Sequence, residues 1–476
     1  MLLEQDRDTI TAVSTAPGTG GIAVVRISGA RALAVVSSIA SFLPAVPESH
    51  RIYFGTLKNP TDQTPIDEVL VSYFAMGRSF TGEEVLEISC HGGNWLAHQV
   101  VERLLAAGAR LAKRGEFTYR AFMNGRLDLI QAEAVLSLIE SRSQPAARAA
   151  LRQLKGASSK RVEEILDGVT WVAANLEANI DYAQEDIVVA QNSNLSARLN
   201  GVHQAISELL KSENQSRLLS EGFHVALLGL PNVGKSSLLN ALLEEERAIV
   251  TDTPGTTRDL VEGHLQFHGV CVRLTDTAGL RVSEDQVESI GIERSRATAA
   301  EADMILFLID GTSNELALQE MAKLDDKQRV RTILVRNKAD LMTQDLQQEI
   351  HALRQAAEIG PENLSRWLAD LSEDRFFAAS AKNAKGLERL KQLFSQAVQV
   401  QMVEDAPMAI RARHAELLRR AQSAVMKADR LLQEDASPEF AAFELHEAVL
   451  AMHEILGRRF DDQVMDRVFS EFCLGK

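Results

Sequence analysis

The chain has 476 residues, past the size at which one hydrophobic core stops growing, so about two to four domains are expected. Hydrophobic residues make up 45% and charged residues 25%, which excludes collagen-like and wholly disordered chains. A formal net charge of -15 argues against a polyanion-binding surface spread over the whole molecule, and three cysteines, Cys90, Cys271 and Cys473, are too few to staple such a fold.

A reducing compartment follows from that cysteine usage. The opening residues MLLEQDRDTI carry acids and no apolar h-region, and no apolar run nears the length that crosses a bilayer. A cytoplasmic protein without membrane association is expected.

Residues 1–124 alternate strand-like runs with glycine turns. GIAVVRISG at 21–29 and EEVLEISCHGG at 83–93 read as strands, and NWLAHQVVERLLAAG as a helix closed by Gly108. Over 125–219 the spacing becomes helical, with Ala132, Val135, Leu136 and Ile139 three and four residues apart. Over 220–399 apolar strands (HVALLGL, CVRLTD, MILFLID, RTILVR, RFFAAS) alternate with helical segments, the pattern of a parallel α/β sheet. Over 400–476 helical spacing returns, with Leu418, Ala421, Val425 and Leu432 on one stripe.

Neither helical stretch can bury its stripe alone. The economical arrangement is one helical domain built from both pieces and interrupted by the α/β domain, with two separate bundles as the alternative. The fold class is thus multidomain, α/β and α: an N-terminal α+β domain, a discontinuous helical domain and an inserted P-loop domain.

GLPNVGKS at 229–236 fits G-x-x-x-x-G-K-[ST] between the strand HVALLGL and the helix SSLLNALLEEE. Asn232, Val233 and Gly234 would offer backbone N–H groups to phosphate oxygens, helped by the helix N-terminus that Ser237 continues. Lys235 would reach the β- and γ-phosphates, and Ser236 would bind Mg2+ with Asp276 behind it. In Asn337-Lys338-Ala339-Asp340, the Asp340 carboxylate can accept from adjacent N–H donors, which guanine presents and adenine does not. Ser380, Ala381 and Lys382 follow the last strand. Together with Thr257 and the DTAG segment, Asp276, Thr277, Ala278 and Gly279, this ordered series resembles the translation-factor-related GTPases and implies a Ras-like G domain.

Ras-like enzymes orient the attacking water with a glutamine after DTAG, where this chain has Leu280. No cis arginine finger is obvious, although Arg258 and Arg281 stand in the switch segments. Water and charge must be handled by other groups.

Along nearly its whole length the chain resembles the tRNA-modifying GTPase family MnmE, also called TrmE. The resemblance is carried by STAPGTGGIAVVRISG, SFTGEEVLEISCHGG, RGEFTYRAFMNGRLDLIQAEA, TDTPGTTRD, DTAGLR, ESIGIER and FCLGK. It implies an N-terminal folate-binding and dimerisation domain (1–124), a helical domain (125–219 and 400–476) and an inserted G domain (220–399). It implies a homodimer and a potassium-stimulated GTPase whose G domains meet during hydrolysis. By the same resemblance Asn232, Thr251, Thr253 and Thr256 would ligate K+ in place of an arginine finger, and Thr257 would reach Mg2+. Asp252, Pro254 and Gly255 complete that nucleotide-contacting loop, with Pro254 where alanine is common. Glu288 would orient the water.

The resemblance places a 5-formyl- or methylene-tetrahydrofolate at Arg26, Glu87, Arg126 and Lys476, with Arg126 in place of the usual lysine. Without it, Arg26 and Glu87 read as an ordinary strand-edge ion pair. The resemblance also implies a C-terminal CLGK segment folded toward the folate site, which makes Cys473 a candidate catalytic thiol. An FAD-dependent MnmG-type partner is implied in a heterotetramer, FAD residing on that partner. The implied substrate is the wobble uridine of certain tRNAs, modified at C5 to aminomethyl or carboxymethylaminomethyl forms. A GTP-switched assembly or signalling factor is the rival from another class.

Two cationic stretches stand out in an acidic chain. Residues 142–161 hold Arg148, Arg152, Lys155 and Lys160 with no acidic residue, and RARHAELLRR holds Arg411, Arg413, Arg419 and Arg420. They are expected either to form a phosphate-binding surface or to be solvated helix faces.

Overall fold

The computed structural model describes residues 8–141, 143–181, 190–245, 261–276, 298–312, 314–342, 345–358, 361–401 and 410–475. These fall into two compact units. One comprises 1–139, 150–211 and 411–476, and the other 140–149 and 212–410.

In the first unit, β1 (Ile10–Val13), β2 (Ile22–Ser28), β3 (Arg51–Lys58), β4 (Pro65–Phe74), β5 (Val85–His91) and β6 (Arg110–Leu111) form a sheet ordered β3-β4-β5-β2-β1-β6. Side chains alternate along a strand. Ala23, Val25 and Ile27 therefore enter the core with Leu86, Ile88 and Cys90, which leaves Arg26 and Glu87 on the opposite face. The helix Asn94–Ala106 covers the core face with Ala97, Val100, Val101 and Leu104. It ends at Gly108, whose φ of 103° a side chain would resist.

The helices Ala157–Asp181, Asn192–Lys211, Ala412–Gln433 and Pro438–Leu456 pack as one bundle. Gln422 Nε2 donates to Ser207 Oγ at 2.8 Å and Asn192 Nδ2 to Asp435 Oδ1 at 3.1 Å, so stretches more than 200 residues apart lie side by side. The stripe Leu418, Ala421, Val425 and Leu432 is buried there. Each large aliphatic residue in it contributes roughly 1.5–3 kcal/mol. The helix Asp462–Ser470 lies on Glu116–Met123, with Phe469 edge-on to Tyr119 at 5.4 Å.

This bundle consumes much of one cationic stretch. Arg413 Nε donates to the buried Glu133 carboxylate at 2.9 Å, and Arg411 donates to Ser137 Oγ at 2.8 Å and to the Glu133 carbonyl at 3.2 Å. Arg420 pairs with Glu454 at 3.2 Å. Glu133 and Glu454 from other helices thus pair with Arg413 and Arg420, which argues against RARHAELLRR as a phosphate-binding surface at those two positions. Arg148, Arg152, Lys155 and Lys160 are exposed.

In the second unit, β7 (Phe223–Gly229), β8 (Val261–Phe267), β9 (Val270–Asp276), β10 (Met304–Ile309), β11 (Thr332–Arg336) and β12 (Phe376–Ala378) are ordered β12-β11-β10-β7-β9-β8, all parallel save β8. Buried on both faces, β7, β10 and β11 are nearly continuous apolar runs. The order turns back at β7, so the crevice beyond its carboxyl end is the expected ligand position. Ile410 N–H donates to Ser216 Oγ at 2.8 Å, which brings the unit's incoming and outgoing segments together.

Candidate functional site

The loop after β7 runs directly into the helix Lys235–Glu245. Gly229 and Gly234 have φ of 138° and 97°, and Asn232 is left-handed at 62°. A Cβ at Gly234 would lie 2.5 Å from Asn337 Nδ2, so glycine is required by close approach as well as by conformation. Asn337 Nδ2 donates to the Val233 carbonyl at 2.9 Å and Gly234 at 3.3 Å, tying the turn after β11 to the phosphate loop. Asn337 Oδ1 is buried with no hydrogen-bond partner among the described residues.

Lys235 is 5% exposed, and its Nζ donates to the Gly229 and Leu230 carbonyls at 2.8 and 2.9 Å. Burial lowers its pKa from the ordinary lysine value, with the Asp276 carboxylate opposing. Ser236 Oγ donates to Asp276 Oδ2 at 2.5 Å. A hydroxyl and a carboxylate in contact are hard-oxygen donors that fit Mg2+. Asn232 and Ser237 are exposed at the loop and at the first helical turn.

Ser380 Oγ donates to Asp340 Oδ1 at 2.6 Å and lowers that carboxyl's pKa. The Lys382 N–H in turn donates to Ser380 Oγ at 3.3 Å. Ala381 is half-buried between them. The exposed, ionised Asp340 is thus aimed by the turn after β12. Lys338 Nζ donates to Asp310 Oδ2 at 2.8 Å, a partner that motif spacing alone does not reveal.

Thr251, Asp252, Thr253, Pro254, Gly255, Thr256, Thr257, Arg258, Thr277, Ala278, Gly279, Leu280, Arg281, Glu288 and Lys476 lie outside the described residues.

In the first unit, Arg26 and Glu87 are direct cross-strand neighbours, with Arg26 Nε donating to Glu87 Oε1 at 2.8 Å. They line a cavity of about 240 Å³ with Arg126, His50, Phe74 and Phe80. His50 stands edge-on to Phe74 at 5.3 Å, and the Arg26 guanidinium lies 5.5 Å from the Phe117 ring centre. Arg126 donates to the Gly77 carbonyl at 3.5 Å.

The chain end turns inward here. The Gly475 carbonyl accepts from Ser14 Oγ at 3.1 Å and from an Arg26 terminal nitrogen at 3.4 Å. A Cβ at Gly475 would meet the Val13 carbonyl at 2.2 Å, and its φ is 86°. Phe472 is buried and Cys473 exposed. His50, Phe74 and Phe80 escape sequence reasoning, since they come from separate segments and carry no motif.

Comparison with known proteins bears on the family of the chain. The family model "GTP-binding protein TrmE N-terminus" matches residues 9–126 and "MnmE helical domain" matches residues 129–473. The chain is 46% identical to the tRNA modification GTPase MnmE of Bdellovibrio bacteriovorus, covering 99% of this chain and 98% of that one. It is 37% identical to the protein of that name from Heliobacterium modesticaldum, covering 98% and 99%. A crystal structure of Era with MgGDPNP and a 16S ribosomal RNA fragment overlaps 42% of this chain and 66% of its own at 24% identity, with a TM-score of 0.28.

Family models running from residue 9 to residue 473, and relatives matched from end to end, leave one assignment: the chain belongs to the MnmE family of tRNA modification GTPases and is a GTP hydrolase.

Proposed function

We propose that this protein is a potassium-activated, homodimeric GTPase that modifies C5 of the wobble uridine of certain tRNAs. In this reading it works with an FAD-dependent MnmG-type partner and a tetrahydrofolate one-carbon unit, in the cytoplasm. The products are aminomethyl or carboxymethylaminomethyl uridines. GTP hydrolysis drives a conformational cycle and does not supply the transferred atoms.

At the nucleotide, Lys235 meets β- and γ-phosphate oxygens while loop N–H groups and the helix N-terminus neutralise charge. Ser236, with Thr257, would hold Mg2+, and Asp276 would orient the metal's ligands. The metal supplies electrostatic stabilisation of the transferring phosphoryl group. Asn232, with Thr251, Thr253 and Thr256, would hold K+, supplying the positive charge that an arginine finger gives elsewhere. Glu288 is the water-orienting residue of this reading. Asp340 selects guanine.

One observation carries the folate part: a single cavity is lined by the Arg26–Glu87 pair and Arg126, and Arg26 also donates to the inward Gly475 carbonyl at 3.4 Å. The carboxylate can accept N–H bonds from a pterin ring and the guanidinium groups can meet anionic oxygens. Ile52 and Phe54, 61% and 67% exposed, stand on the same sheet face as Arg26 and Glu87, since Ile52, Ser72, Glu87 and Arg26 form one cross-strand row. Exposed apolar side chains beside that row support dimerisation through this domain. Lys476 and Cys473 complete the proposed site.

Nucleoside analysis of tRNA from cells lacking this protein tests the proposal. Loss of a C5-substituted wobble uridine, restored by the wild-type chain, is expected. Unchanged nucleosides would overturn it.

A further inference from the structure

The carboxyl edge of the nucleotide-binding sheet carries an ionic contact that the reading above does not use. β10 and β11 are parallel and in register at Ile309 and Arg336, so Asp310 and Asn337 leave the sheet side by side. Asn337 N–H donates to the Ile309 carbonyl at 2.7 Å. Asp310 Oδ1 accepts from the Thr312 hydroxyl at 2.6 Å and from its N–H at 3.2 Å, which aims Oδ2 at Lys338 Nζ, 2.8 Å away. The Asp310 side chain is 15% exposed and that of Lys338 37%.

A second contact braces the same two loops. Arg336 is buried, with Nε donating to Glu349 Oε2 at 2.6 Å and a terminal nitrogen donating to the Asn337 carbonyl. Gly311 packs on this guanidinium, a Cβ there lying 2.8 Å from it. Lys338 itself is left-handed, with φ of 55°. A lysine rarely adopts that conformation unless its surroundings impose it, and such strain collects at binding sites.

We infer that Asp310 is a positioning residue for guanine nucleotide: held by Thr312, its carboxylate fixes the Lys338 ammonium beside the base-recognition turn and thereby sets how long the nucleotide stays bound. Lys338 lies two residues before Asp340 in the same turn, so in this inference its methylene stem offers apolar surface to a ring held by Asp340. A free lysine side chain loses rotamer freedom when it is ordered. Asp310 imposes that order in advance, so binding loses less. The phosphate loop and metal ligands are untouched by this contact, so its effect falls on binding and not on phosphoryl transfer. The inference rests on the assignment of Asn337–Asp340 as the turn that contacts the base.

The test uses the full chain. Asp310→Asn keeps an oxygen for the Thr312 bonds and removes the charge that holds Lys338. Stopped-flow release of a fluorescent GDP analogue is expected to quicken about fivefold, and the KM for GTP to rise by a similar factor. At saturating GTP, kcat stays within about twofold and the melting temperature is unchanged. Asp310→Glu restores the charge and should recover part of the residence time. GDP release at the wild-type rate in Asp310→Asn, or a fall in kcat at constant KM, would overturn the inference. The underlying assignment has its own control. Asp340→Asn should shift preference from GTP to xanthosine triphosphate, whose base presents a carbonyl where guanine has its amino group. Failure of that shift overturns the base assignment whatever Asp310→Asn does.

Discussion

Ser236 Oγ donates to Asp276 Oδ2 at 2.5 Å, so the first turn of the helix after the phosphate loop and the last residue of β9 meet at one point. Asp276 is fully buried, and its register partner on β7 is Leu227. The sheet, through Asp276, and the helix after the phosphate loop, through Ser236, thus bring together the two described groups of the proposed Mg2+ position.

Asp276→Asn preserves the shape of that contact and removes its charge. The Mg2+ concentration giving half-maximal GTP turnover is expected to rise about tenfold or more, as for other residues that orient a metal's ligands. A magnesium titration of steady-state turnover measures this. An unchanged midpoint would remove Asp276 from the metal site.

Asn232 is left-handed and exposed at the phosphate loop. Asn232→Ala is expected to abolish the difference between KCl and NaCl in GTP turnover, with guanine-nucleotide affinity kept within about threefold because loop N–H groups and Lys235 remain. Parallel assays in the two salts decide it, and a retained potassium response would refute this ligand.

Arg26→Ala leaves Glu87 without its 2.8 Å partner and removes a donor from the cavity. Affinity for 5-formyl-tetrahydrofolate is expected to fall at least about tenfold, or 1.4 kcal/mol, by isothermal titration. Arg126→Ala should cost less, since its guanidinium donates only at 3.5 Å to the Gly77 carbonyl in this chain. GTP turnover without folate is the internal control for folding.

Glu133 is buried against His414 Nε2 at 2.7 Å and Arg413 at 2.9 Å. Burial alone would raise its pKa, but these partners outweigh it and hold the carboxyl at about 2, below the ordinary 4.5. As pH falls, the unfolded chain therefore takes up this proton first. The stabilising contribution is complete above about pH 4.5 and fades as pH drops toward 2. Glu133→Gln removes the buried carboxylate from the Arg413 guanidinium and is expected to cost about 3–5 kcal/mol at pH 7. Urea midpoints for wild type and variant across this pH window check both the size and the slope. A variant whose midpoint parallels the wild type throughout would show that the cluster is energetically silent.

The parts legible in the sequence are those in which local chemistry and fold position coincide. GLPNVGKS is recognisable because the glycines, the lysine and the following helix serve one loop, and alternation along VVRIS assigns Arg26 to the non-core face. Charge counts along one helix are a poorer guide. Arg411 and Arg413 look solvent-facing until Glu133, nearly 280 residues earlier, is placed against them. The cavity's aromatic wall was illegible for a similar reason, since His50, Phe74 and Phe80 share no spacing. Asp310 is not legible in the sequence, because an aspartate after an apolar strand is an ordinary turn residue until its lysine partner is in place.

The hydrogen bond from Ile410 N–H to Ser216 Oγ has a consequence for the order of folding. If the bundle closed first, Asn192–Lys211 would have to find Ala412–Gln433 across an unfolded span of roughly 200 residues, whose closure entropy grows as its logarithm. A nucleotide-binding unit that has already condensed presents its two ends as near neighbours and turns that search into a short-range one. Translation favours the same sequence of events, because this unit leaves the ribosome before the last two bundle helices do. Damage to the central β-sheet should therefore appear as misassembly of helices that never touch a phosphate.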